Sequence, residues 1–214
     1  MNHPTPGVER RITDTATLSL PSAKRPIDWP GVVGHLRRVG SRALSSEQLA
    51  RWVGEAQAGR REAFDHLTRH YASMVHGVLL AHAPRTEVDD LLQDVFLKAW
   101  QSLAGLREAQ SFGAWLATLA RNRATDYQRR RRPEVPIDEL DIADAKAGHQ
   151  AEAVRILELI RTLPETYREA LVLRLVEGLT GPEIAARTGL THGSVRVNLH
   201  RGLGLLRSKL GVDS

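Results

Sequence analysis

Apolar residues recur at three- and four-residue intervals through most of the chain beyond position 44. No stretch alternates apolar and polar residues over the length of a useful strand. That period restricts the chain to an all-α fold. Aromatic residues are only 5 % of the 214, so helix faces must pack through Leu, Val, Ile and Ala. With 42 % apolar and 26 % charged residues the composition is that of an ordinary soluble globular protein.

Turn and cap residues divide the periodic region. Residues 1–44 hold Pro4, Pro6, Pro21, Pro26 and Pro30 without sustained periodicity and are expected to be a disordered extension. Ser45 and Gln48 fit a capping box at the start of a first helix. A second is expected from Arg61 to His82, before Pro84. A third opens with Thr86 as its cap and ends near Gly105. A fourth runs from a Ser111 cap to just before Pro133. The segment "PEVPIDELDIADAKAGHQ", 133–150, has two prolines and five acids and reads as a flexible acidic linker. Helices are expected to resume over 151–162, 165–177, 181–188 and 191–208. The plan is a four-helix domain over 45–132 tethered to a second helical domain over 151–210.

Charge is blocked rather than mixed. The net charge is +5. Residues 86–94 carry Glu87, Asp89, Asp90 and Asp94 and no base, whereas residues 105–132 carry seven arginines against Glu108 and Asp126. Alternating acidic and basic blocks predict several distinct binding surfaces, one of them for a polyanion. The chain has no cysteine, which excludes disulfides, thiolate metal sites and thiol redox chemistry within it. No apolar run approaches the roughly 20 residues of a membrane span, and the N-terminus has no apolar signal core. The expected location is the cytoplasm, with no membrane insertion.

In "GPEIAARTGLTHGSVRVNLH" a small residue, Ala185, stands where two helices must meet. Gly189 follows four residues later at a turn that wants a positive φ, and Val195 six residues after that points back to the core. Those offsets are the helix-turn-helix pattern. On a 3.6-residue wheel the second helix buries Val195, Leu199, Gly202 and Leu206 and turns Arg196, Val197, His200, Arg201 and Arg207 outward. Arginines there suit guanine edges or phosphates, and Val197 suits a thymine methyl. An ordinary helical hairpin would share the core stripe.

The helix "EVDDLLQDVFLKAWQSL" sorts Val88, Leu91, Leu92, Val95, Phe96, Ala99 and Leu103 to one side and Asp90, Gln93, Asp94, Leu97 and Gln101 to the other. Acids in a first turn favour the helix dipole. An exposed Leu97 among them also fits a contact surface for a basic protein. The stretch "LARNRATDYQRRRRP" continues a helix that begins by burying Phe112, Trp115, Leu116, Leu119 and Ala120. Its core stripe is expected to run out into Arg123, Asp126, Tyr127 and Arg130. Arginines for phosphate, Trp115 and Tyr127 for stacking, and Asn122 and Asp126 for base edges suit single-stranded or opening DNA. A solvated basic helix end is the simpler alternative. Two other classes fit parts of the chain: a stand-alone duplex-binding regulator, and a helical enzyme using His66 and His70 with Asp65 nearby.

Together these blocks resemble a bacterial RNA polymerase sigma factor of the extracytoplasmic function (ECF) group of the sigma-70 family, over about 45–210. "DDLLQDVFLKAW" is similar to the domain 2 helix that docks on the β′ clamp of core polymerase. "SFGAWLATLARNRATDYQRRRR" is similar to the helix that reads and melts the −10 element. "LPETYREALVLRLVEGLTGPEIAARTGLTHGSVRVNLHRGLGLLR" is similar to domain 4, which reads the −35 element and contacts the β flap. The resemblance implies a transcription initiation factor, not an enzyme, without metal or cofactor, nucleoid-associated when active and controlled by an anti-sigma factor. It implies core docking through Asp90, Gln93, Asp94 and Leu97. It implies −10 binding and melting through Trp115, Asn122, Arg123, Asp126, Tyr127, Arg129 and Arg130, with Asp126 near the site that captures a flipped base. It implies −35 reading through Ser194, Arg196, Val197, His200 and Arg201. The linker at 134–144 would thread the polymerase. The chain departs from the family pattern at Val197, Asn198, Gly202 and Leu203, where the family often has a hydroxyl, Arg, Ala and Arg.

Overall fold

The computed structural model describes residues 44–130 and 147–211. Among them all regular structure is helical: α1 Ser46–Gln57, α2 Arg61–His82, α3 Val88–Ser102, α4 Phe112–Arg130, α5 Ala147–Arg161, α6 Glu165–Leu175, α7 Gly181–Thr188 and α8 His192–Leu210. The expected N-terminal extension and most of the expected linker lie outside the described residues. The linker's last four residues, 147–150, are already helical: Ala147 favours a helix, and Gly148 weakens it by only about 1 kcal/mol.

Side-chain caps explain three of the helix starts. Ser45 Oγ accepts from Gln48 N at 3.1 Å. Thr180 and Glu183 form a full capping box on α7, with Thr180 N donating to Glu183 Oε2 at 2.8 Å. Thr191 caps α8 by accepting from Ser194 N at 3.1 Å. The expected Thr86 and Ser111 caps are not formed. Arg85–Glu87 and Ala109–Ser111 are instead 3-10 turns, and Glu87 N donates to Pro84 O and Ser111 N to Glu108 O. A tight turn satisfies these backbone groups without the hydroxyl.

Helix α2 sits at the centre. One stripe of it, with Phe64, Leu67 and Tyr71, faces α1, α3 and α4. From Met74 to Ala81 every residue except His76 is buried, so the helix is apolar around its circumference there. That second half accepts α6, with smaller contacts to α5 and α7. The two helical units expected to hang on a tether are therefore docked on one another, and their buried side chains form one continuous cluster. Gly77 permits the closest approach: a Cβ there would lie 2.6 Å from Leu173 Cδ2.

Helix α4 carries its buried stripe further than expected. Phe112, Gly113, Leu116, Ala117, Ala120 and Ala124 are buried, and Trp115 and Leu119 only half-buried. Gly113 and Ala117 widen the stripe, and Ala124 carries it one turn past Ala120. His66 stacks on Trp52 with ring centroids 4.9 Å apart, and His70 sits edge-on to Tyr71. No group of three ligand-type residues meets among the described residues.

Two glycines in α8 have different surroundings. A Cβ on Gly202 would lie 3.0 Å from Leu171 Cδ1 and 3.1 Å from Tyr167 Cβ, whereas Gly204 faces open space. Gly204→Ala is expected to stabilise the protein by about 0.5–1 kcal/mol through helix propensity. Gly202→Ala, with the same intrinsic gain, must fall short of it, because α8 is pushed from α6. Denaturant midpoints of the two variants, measured side by side, check this difference.

Candidate nucleic-acid and protein-binding surfaces

The turn between α7 and α8 has the geometry expected of a helix-turn-helix. Ala185 and Val195 are buried, and Gly189 takes φ 75° and donates its N–H to Ala185 O at 3.1 Å. Val195, Gly202 and Leu206 are buried as the wheel predicts, whereas Leu199 is only half-buried. Arg196, Val197, His200 and Arg201 are exposed along the other side of α8. Ser194 is exposed too, but its Oγ lies 2.8 Å from Thr191 Oγ1, so it belongs to the helix cap as well as to the surface. A groove of about 510 Å³ runs between the N-terminal ends of α7 and α8, lined by Pro182, His192, Gly193, Arg196 and Leu199 among others.

On α3, Asp90, Gln93, Asp94 and Leu97 are all exposed on one stripe, and Leu97 leaves 56 % of its surface in solvent. Opposite them Val88, Leu91, Leu92, Val95, Phe96 and Ala99 are buried. An apolar side chain this exposed beside carboxylates is the anatomy of a contact patch, with an apolar centre and polar rim. Asp94 also faces α4: Arg123 Nε donates to its Oδ2 at 3.0 Å, and Arg123 Nη2 to the same oxygen. The acidic stripe and the basic helix thus meet at one ion pair.

On α4, Asn122, Asp126, Arg129 and Arg130 are exposed, and Arg123 and Tyr127 half-buried. At 100° per residue, residues 115, 122, 126 and 129 fall on one stripe. Trp115 tilts against Phe112 at 5.6 Å, so one face of each aromatic group is committed to the protein. Tyr127 packs against the core in the same way. What remains is a strip of the Asn122 amide, the Asp126 carboxylate and the Arg129 and Arg130 cations with aromatic edges beside it, a form suited to following a nucleic-acid strand.

A third face of α4 was not anticipated. Arg121 donates from Nε and Nη2 to Glu169 Oε2 and Oε1 of α6, at 2.8 and 2.7 Å. His82 of α2 lies 3.8 Å from the same carboxylate. Glu169 is 8 % exposed. Burial alone would raise its pKa; the Arg121 and His82 interactions outweigh that and hold it at about 2. His76 Nδ1 lies 2.6 Å from Glu177 Oε1. Arg161 donates to the Leu80 and Ala83 carbonyls at the end of α2. Arg187, 4 % exposed, faces Ser73 at 3.5 Å, and burial lowers its pKa. Burial also pushes the Tyr71 phenol up to about 12 and lowers His70 to about 4, where the charge of Arg187 acts in the same direction. These partners are far apart in sequence and on no shared periodic stripe. Only the apolar circumference of 74–81 hinted that α2 had a second neighbour.

Comparison with known proteins gives a consistent picture. The family model described as Sigma-70 region 2 matches residues 67–134, and that described as Sigma-70, region 4 matches residues 153–206. The chain is similar to the ECF RNA polymerase sigma-E factor of Haemophilus influenzae, with 30 % identity over 74 % of this chain and 93 % of that protein. It is 29 % identical to the sigma-E factor of Escherichia coli over 77 % of this chain and 96 % of that one. Among solved structures, CnrH in complex with the cytosolic domain of CnrY matches with TM-score 0.57 and 27 % identity, over 79 % of this chain and 100 % of CnrH.

The buried titratable groups set the acid limb of stability. The unfolded His70 takes a proton below about 6.5, which the folded one refuses until about 4, so stability falls as pH drops through that window. The folded Glu169 stays ionised to about 2 against an ordinary 4.5, so its contribution is full above 4.5 and lost as pH falls towards 2. The melting temperature is expected to decline from near pH 6.5 and more steeply below 4.5. His70→Gln should flatten the first part, and Glu169→Gln the second while lowering stability near neutral pH.

Proposed function

The chain belongs to the ECF group of sigma-70 RNA polymerase sigma factors, and we propose that it acts as a transcription initiation factor through three surfaces, one for polymerase and two for promoter DNA. The α3 stripe of Asp90, Gln93, Asp94 and Leu97 docks on the β′ clamp. Exposed carboxylates steer a basic partner, and Leu97 supplies the apolar contact that survives salt. This stripe is the observation that carries the reading, because neither a duplex-only regulator nor a helical enzyme needs an exposed leucine ringed by acids.

The α4 strip then holds the −10 strand as the duplex opens. Arg123, Arg129 and Arg130 neutralise phosphates, Asn122 and Asp126 address base edges, and Tyr127 and Trp115 offer their free edges and faces to bases leaving the stack. Unstacking a base costs a few kcal/mol, and a surface that binds only the unpaired strand offsets that cost. Reading of the −35 element falls to Ser194, Arg196, Val197, His200 and Arg201 of α8, with region 4 also meeting the β flap. Nucleotidyl transfer is the polymerase's chemistry; this chain contributes binding energy alone. No helix among the described residues is long and apolar enough to cross a membrane. An anti-sigma factor that covers the α3 and α4 surfaces is the expected negative regulator.

Gel filtration with bacterial core polymerase, followed by permanganate footprinting on promoter DNA, tests the reading: co-elution and new reactive thymines are expected. Asp90→Lys with Asp94→Lys should abolish co-elution and leave the far-UV circular dichroism unchanged; unaltered core affinity would remove the docking assignment. Arg196→Ala should cost about 1–3 kcal/mol on the cognate promoter if it reads a base. An equal loss on all sequences would make it a phosphate contact.

A further inference from the structure

One ion pair joins the two surfaces that the first unit is proposed to present. Arg123 Nε donates to Asp94 Oδ2 at 3.0 Å, and Arg123 Nη2 donates to the same oxygen. Asp94 belongs to the α3 stripe with Asp90, Gln93 and Leu97, all of them exposed. Arg123 stands at the rim of the α4 strip: on the wheel it falls about 80° from Trp115 and about 20° from Arg130. Neither side chain is sealed from an outside partner, since 47 % of Asp94 and 30 % of Arg123 remain in solvent.

The pair is not what holds the two helices together. Helices α3 and α4 lie against one another with their apolar sides buried in one cluster, and an ion pair this exposed adds little to such packing. Its effect falls on the two surfaces. A carboxylate already facing a guanidinium attracts an outside cation less, and a guanidinium already facing a carboxylate neutralises less of a phosphate's charge. An outside partner for either residue must therefore displace the inner one, and once it has done so the other residue is released. Two partners that each break the same internal contact assist one another, and linkage makes the assistance equal in both directions. The gain is no larger than the internal pair is strong, which limits it to about two- to fivefold.

Resting on the function proposed above, we propose that Asp94 and Arg123 exchange partners during initiation, and that the exchange couples polymerase docking to capture of the −10 strand. A polymerase cation that takes Asp94 releases Arg123 to a phosphate of the unpaired strand. A phosphate that takes Arg123 releases Asp94 to the polymerase. In the chain alone each residue masks the other. The consequence is opposite to what the separate roles would give: removing a cation of the promoter strip strengthens polymerase binding when no DNA is present.

The affinity of the full-length chain for bacterial core polymerase tests the exchange, read by the anisotropy of a dye on Glu47→Cys of α1, the only cysteine in such a chain. Without DNA, Arg123→Ala should bind about two- to fivefold more tightly than the native background. Arg51→Ala, which removes an exposed cation of α1, should bind as the native background does, which separates the effect from a change in net charge. Asp94→Asn should bind more weakly, and adding Arg123→Ala to it should change nothing further. If Arg123 merely repelled a basic partner, its removal would help in both backgrounds alike, and that outcome overturns the proposal. An Arg123→Ala chain that binds no more tightly than the native one overturns it too. With a saturating single-stranded DNA oligonucleotide, the native chain should gain the same factor and Arg123→Ala should lose its advantage. Arg123→Gln carries the same expectations and serves if the alanine variant fails to fold by circular dichroism. If neither the native chain nor any variant binds polymerase, the initiation reading fails and the exchange with it. If the native chain binds polymerase and Arg123 is silent, the exchange alone fails.

Discussion

Helix α2 is apolar around its whole circumference between Met74 and Ala81, and one neighbour cannot cover a cylinder. Its first half is satisfied by α1, α3 and α4. Its second half draws in α6, and with α6 come α5, α7 and α8. Every surface with a proposed role is placed by that packing. The α3 stripe faces out because α3 lays its apolar side on α2, and the α4 strip is displayed because α4 spends its other two faces on α2 and on region 4. Gly77 sets how close α6 can come, since any side chain there would meet Leu173.

Charge is treated differently inside the units and between them. Within each unit the buried set is aliphatic and aromatic apart from Thr68 and Thr188, and most exposed acids and arginines lie on separate stripes. Between the units, Glu169, Arg187, Arg121 and the two histidines are partly or wholly removed from water. Such an arrangement gives register rather than net strength, because the pairs must first recover what desolvation costs them. The Asp94–Arg123 pair is a smaller case of the same economy. Half in solvent, it adds little stability but holds a guanidinium beside the promoter strip.

Much of this was legible in the residues. The helices on either side of the linker, the helix-turn-helix with its positive-φ Gly189, and the exposure of Leu97 all follow from period and turn chemistry, which are local. The Thr86 and Ser111 caps failed because a 3-10 turn supplies the same hydrogen bonds, a backbone choice that side chains do not announce. The core stripe of α4 is wider than its period indicates at Gly113 and Ala117 and one turn longer at Ala124, because small residues are buried by what approaches them rather than by their own hydrophobicity. The inter-unit pairs were invisible for a further reason. Arg121 looks like any other arginine in a basic helix until Glu169, 48 positions later, is brought against it.

Arg161 shares with Gln128 the capping of the C-terminal carbonyls of the longest helix of the first unit, although Arg161 belongs to the second. A fragment cut in the linker would leave the Leu80 and Ala83 carbonyls to water and uncover the Gly77 saddle. The halves of this chain are therefore not independent reagents. An affinity measured on either half is taken on a surface that lacks these contacts, and the two half-affinities cannot be added to give the whole.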